Sequence, residues 1–164
     1  MMFDHLEEKE AVKRAAMIEE NGRRFYTLLA EKSKDTETKA LFTKFANDEL
    51  THLREVEDNF FPEAGFTEYV TEEELAIDEY LEKTGAGDIF TKRIDIDALV
   101  KALDDPRRAL IVALDTEKHS VEYFEELSHR CTTPEARDLY RQLMEEEQNH
   151  VAQIELLLSR ESNP

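Results

Sequence analysis

Asp48-Glu49-Leu50-Thr51-His52-Leu53 holds a glutamate and a histidine three residues apart, and Glu146-Glu147-Gln148-Asn149-His150-Val151 repeats that spacing 98 residues later. On an α-helix, residues three apart share a face. Each motif therefore aims a carboxylate and an imidazole the same way if its segment is helical, and the flanking residues say that it is. At 100° per residue, Phe42, Phe45, Leu53 and Val56 fall within about 40° of Glu49, and Tyr140, Leu143, Val151 and Ile154 do the same around Glu147. Two charged residues sit in the middle of two apolar stripes.

A third match, Glu126-Leu127-Ser128-His129, serves as a control. Upstream, Leu110, Ala113, Val121 and Phe124 flank Glu117, and Glu126 points about 180° away from it. Glu126 and His129 thus read as a solvated surface pair, as do His5 and His119 singly. The spacing alone is weak evidence; the spacing inside an apolar stripe is stronger.

Working outward, the helix starts and stops are explicit. A first helix runs from Asp4, which forms a capping-box pattern with Glu7, to about Lys34. Gly22 lies inside it, at a cost of about 1 kcal/mol relative to Ala, and marks a position where helices could approach closely. Asp35-Thr36 is a turn and N-cap, and a second helix spans Glu37 to Asn59, ahead of Phe61-Pro62. Asp105-Pro106 and Thr133-Pro134 each place a capping residue before a proline at the first helical position. They open a third helix ending near Arg130 and a fourth ending near Ser159. Between them, 61–105 is expected to be a crossover with short helices near 71–83 and 97–103, since so long a loop without structure is rare.

The expected architecture is all-α: one domain with a hairpin over 4–60, a crossover over 61–105 and a hairpin over 106–160. The hairpins repeat each other. Glu20 and Glu117 are 97 residues apart, as are Tyr26 and Tyr123; Glu49 and Glu147 are 98 apart, as are His52 and His150, which implies one inserted residue at the second turn. Glu20, Glu49, Glu117 and Glu147 each stand 14 or 15 residues from their turn, or roughly 21–23 Å along the helix, so antiparallel packing puts them in one layer.

Composition narrows the function. The 164 residues include 39 acidic and 21 basic side chains, a net charge of −18, and only four glycines and four prolines. That balance argues against nucleic acid and anionic membranes as partners and favours cations. The single cysteine, Cys131, excludes an internal disulfide, a paired-cysteine zinc site and a Cys-x-x-Cys redox motif. The N-terminus lacks the apolar core of a secretory signal, and no apolar run is long enough to span a bilayer, so a cytoplasmic location is expected.

Four carboxylates in one buried layer would repel one another, and each costs several kcal/mol to bury ionised. Two divalent cations would balance four glutamates, with His52 and His150 bound as neutral imidazoles. The expected site is therefore dinuclear, with metal ligands Glu20, Glu49, His52, Glu117, Glu147 and His150, and with Tyr26 and Tyr123 as hydrogen-bonding partners of the ligands. The donor set suits iron, manganese or zinc.

This ligand order resembles the ferritin-like diiron carboxylate proteins. The local text, Ile18-Glu19-Glu20 through Phe25-Tyr26 and Asn47-Asp48-Glu49-Leu50-Thr51-His52, is most similar to the rubrerythrin branch. The resemblance implies a four-helix bundle holding two irons, with Glu49 and Glu147 bridging them and the other four ligands binding one each. It also implies an oxidoreductase that reduces peroxide or dioxygen, commonly as a homo-oligomer such as a dimer. Rubrerythrins usually add a rubredoxin-type centre on paired cysteines, which this chain does not have, so electrons would come from an external donor protein or small reductant. Their additional glutamate after the third-helix ligand is Ser120 here, and the haem methionine of bacterioferritins is Leu50. Ferroxidase action with iron storage, and non-catalytic metal binding, are the other readings the motifs permit.

Overall fold

The computed structural model describes residues 8–60 and 95–162. Five helices and no strands occur among them: α1 Glu8–Lys32, α2 Thr36–Phe60, α3 Ile96–Ala102, α4 Pro106–Arg130 and α5 Pro134–Ser162. The capping pattern at Asp4 and the short helix expected near 71–83 lie outside the described residues. The other expected helices are present, with α1 stopping two residues earlier and α5 running three residues further than expected.

Local chemistry sets the boundaries. Asp35 accepts hydrogen bonds from the Thr38 amide at 2.9 Å and the Thr38 hydroxyl at 2.6 Å, capping α2. Asp105 accepts from the Arg107 amide at 3.0 Å, with Pro106 opening α4. Thr133 accepts from the Ala136 amide at 3.2 Å ahead of Pro134-led α5. Each cap satisfies a donor that the helix itself leaves orphaned.

The helices pair as α1 with α2 and α4 with α5, and the two hairpins close on each other within the one chain. Their shared core is aromatic. Tyr26 stacks on Phe42 at 5.8 Å between centroids, and Phe124 stacks on Tyr140 at 6.4 Å, with Phe25, Phe45, Leu110, Leu143, Val56 and Ile154 buried around them. These two stacks are equivalent at an offset of 98 residues, and the helix-capping residues Asp35 and Thr133 keep the same offset. The repeat is therefore uniform, and the inserted residue expected at the second turn is not there. The partner of Tyr26 in the repeat is Phe124, not Tyr123.

Short α3 is fastened to α1. Lys32 donates to the carbonyls of Val100 at 3.0 Å and Leu103 at 2.7 Å, satisfying the end of α3, while Arg24 pairs with Asp97 at 2.9 Å. Ile96 and Val100 point into the core. This anchors the end of the crossover beside α1 before the chain enters α4.

Candidate metal centre

Each of the four long helices sends ionisable side chains into the middle of the bundle. From α2 come Glu49 and His52, from α4 Glu117, and from α5 Glu147 and His150, all at most 3% exposed. From α1 comes Glu19, with no exposure at all. Two groups could each hold a cation, Glu19–Glu49–His52–Glu147 and Glu49–Glu117–Glu147–His150, with the ligand atoms of each within 4.8 Å of one another. Glu49 and Glu147 belong to both.

Glu20, expected here from the sequence, is elsewhere. It turns out of the bundle and makes a two-pronged ion pair with Arg23, at 2.6 and 2.9 Å. The physical reason is the direction of the α1 stripe. Val12, Ala15, Tyr26 and Ala30 are all buried and lie within about 40° of Glu19, so Glu19 occupies the centre of the apolar face. The uniform offset carried the same signal: Glu19 to Glu117, Glu49 to Glu147 and His52 to His150 are all 98 residues. The structure brings the other five expected ligands together. The control motif stays outside, with His129 exposed and Glu126 paired to Arg130 at 2.7 Å.

Both imidazoles face the centre with Nδ1. His52 Nδ1 lies 3.2 Å from Glu19, 3.1 Å from Glu147 and 3.8 Å from Glu49. His150 Nδ1 lies 3.2 Å from Glu49, 3.3 Å from Glu147 and 3.4 Å from Glu117. The far nitrogens are held across the bundle: His150 Nε2 meets Asp48 at 3.0 Å, and His52 Nε2 meets Glu146. The acid preceding each motif glutamate thus clamps the histidine of the opposite motif. Sequence reasoning did not assign Asp48 or Glu146, although each adjoins a chosen glutamate. A carboxylate on the outer nitrogen fixes the tautomer and leaves the Nδ1 lone pair for a cation.

Tyr26 donates to Glu117 Oε1 at 2.5 Å. Tyr123 is buried with its ring edge-on to Phe124. On the ligand-bearing face of the second hairpin, the position equivalent to Tyr26 is Phe124, which has no hydroxyl to give.

Protonation shows what the cluster needs. Burial and the neighbouring Glu49 charge push Glu19 well above the carboxylate range, and burial with the Glu147 charge raises Glu117 to about 8. Burial opposes charging His52 and His150, but the surrounding carboxylates outweigh it and raise both. Burial also opposes ionisation of Glu49 and Glu147, yet the carboxyls of Glu19 and Glu117 and the two imidazoles beside them keep both low. The His150 hydrogen bond holds Asp48 at about 2. Protons neutralise the layer when nothing else does.

The donors fit a pair of metal ions. Glu19 Oε1, Glu117 Oε2 and His150 Nδ1 are buried without a hydrogen-bond partner, an expensive condition that a coordinated cation would relieve. A cleft of about 420 Å³ lined by Asp48, Thr51, His52, Glu146, Asn149 and His150, among others, opens beside the site. No helix among the described residues is long and apolar enough to cross a membrane.

No curated protein and no solved structure matches the chain. The family model described as Rubrerythrin matches residues 10–158. That match covers both hairpins and every residue of the buried cluster, and the chain belongs to the rubrerythrin family of ferritin-like diiron domains.

Proposed function

We propose that this chain is a non-haem diiron oxidoreductase that reduces peroxide or dioxygen with electrons from an external donor. One observation carries the reading: two buried four-ligand groups overlap in Glu49 and Glu147. Four carboxylates against two divalent ions give a neutral centre, and the shared pair gives both ions common ligands. On this reading Glu19 and His52 complete one site, Glu117 and His150 the other.

Two ferrous ions would supply two electrons, which with two protons convert one peroxide to two waters. The chain's own residues set the conditions. Tyr26 holds one oxygen of Glu117 and leaves the other free to bind. Asp48 and Glu146 keep Nδ1 of His150 and His52 aimed at the centre. Phe45, with its ring 4.2 Å from that of His150, walls the site against bulk water. The cleft admits a reactant of two oxygen atoms and gives protons a path through Asp48 and Glu146. Cys131 is the one cysteine of these 164 residues, so on this reading the electrons come from outside them, from a protein module or a small reductant.

Single-turnover mixing of the Fe(II)-loaded protein with peroxide, and separately with dioxygen, tests this. The expected result is rapid oxidation of two irons per peroxide consumed, with slower reaction in dioxygen. Fast dioxygen consumption with ferric iron accumulating beyond two ions per chain would move the reading to ferroxidase and storage. Inertness to both oxidants leaves a non-catalytic metal-binding protein. A solution mass of twice 19.1 kDa is expected for a homodimer, against a far larger value for a cage.

A further inference from the structure

Gly22 sits mid-helix in α1, one turn beyond Glu19, with no left-handed backbone angle to require a glycine. What it does have is a neighbour. A Cβ at this position would lie 3.3 Å from Glu49 Cδ and 3.4 Å from both Cγ and Oε2. Glu49 is one of the two carboxylates common to both ligand groups. It lies against the bare backbone of α1, and its other side faces His150 Nδ1 at 3.2 Å. A methyl group at 22 would press the carboxylate a few tenths of an ångström toward that imidazole. The equivalent residue on the other hairpin, 98 positions on, is Ser120, whose buried side chain turns back to donate to the Thr116 carbonyl at 2.9 Å. The bundle therefore accommodates a Cβ at this place on α4, and the repeat as such does not call for glycine on α1.

We infer that Gly22 is a positioning residue for Glu49: its missing side chain lets that carboxylate lie flat on α1, where it can serve two metal ions at once. The inference rests on the dinuclear reading above. A carboxylate shared between ions is the ligand least able to absorb a sideways push, because moving toward one ion moves it away from the other. The glycine thus trades helix propensity for ligand geometry.

The test is metal titration of the full-length chain and Gly22→Ala, with the melting temperature of each metal-free protein recorded alongside. Alanine is the better helix former, so metal-free Gly22→Ala is expected to melt no lower than the parent. It is expected to keep one tight ion and bind the second about tenfold more weakly, the scale seen when support of a ligand is lost. In a Glu49→Asp background, where the shorter side chain no longer reaches the space at 22, the alanine should change second-ion affinity little. Unchanged binding of both ions by Gly22→Ala overturns the inference while leaving the dinuclear centre standing. A lower metal-free melting temperature with both ions lost together also overturns it, by showing a packing fault. A parent chain that binds no pair of ions overturns the centre and this inference with it.

Discussion

Glu19 and Glu20 stand about 100° apart on one helix, and that rotation separates a fully buried carboxylate from one paired with Arg23 at the rim. The two residues should respond oppositely to truncation. Glu19→Ala is expected to reduce bound metal from two ions per chain to about one or fewer, and Glu20→Ala to leave the content unchanged, by elemental analysis of purified protein. Equal losses from both would reject the assignment. Five of the six candidate ligands were legible in the sequence because their helices have clean apolar stripes. On α1, Ala16 and Thr27 flank Glu20 but so do Lys13 and Arg24, and Arg23 lies within about 40° of Glu19, so neither glutamate stands in an unbroken apolar stripe. A uniform offset of 98 between the hairpins distinguishes them. The same one-residue slip made Tyr123 look like the counterpart of Tyr26. With Phe124 there instead, the two halves of the site are chemically unequal: Glu117 is held by a phenol, and the equivalent aromatic offers none to Glu19.

At the scale of the element, the starts of α2, α4 and α5 were the most readable feature, because each is written as a side chain that accepts a hydrogen bond from a backbone amide. Asp35, Asp105 and Thr133 cap where their chemistry says they should, and two prolines follow where a missing amide does no harm. Asp105→Ala should lower stability by about 1 kcal/mol in urea denaturation while leaving metal stoichiometry intact, since the cap lies more than three turns from Glu117. A change in stoichiometry would mean that α4 shifts along its axis when its start is loosened. The fastening of α3 was not legible. Lys32 reaching two carbonyls some 70 residues away depends on where the crossover lands, and local pattern carries no information about that.

At the scale of the whole molecule, the buried layer couples stability to pH. The metal-free fold keeps protons on Glu19 and Glu117 that an unfolded chain sheds near pH 4.3, and on His52 and His150 that it sheds near about 6.5. The folded state thus binds more protons, so stability should fall as pH rises from 5 to 8. Bound cations require those same protons to leave. The rise in melting temperature produced by saturating divalent metal should accordingly grow over the same range. Melting curves with and without metal at three pH values check both trends, and a metal-free protein that gains stability toward pH 8 would refute the protonation pattern.

The cross-bundle clamp has a topological consequence as well. Glu49 and Glu147 are 98 residues apart in the chain, and any ion held by both closes a loop containing the entire crossover. Such an ion would tie the two hairpins together in the folded chain alone, because unfolding separates its ligands; unlike a disulfide, it would stabilise the fold in proportion to the free metal around it.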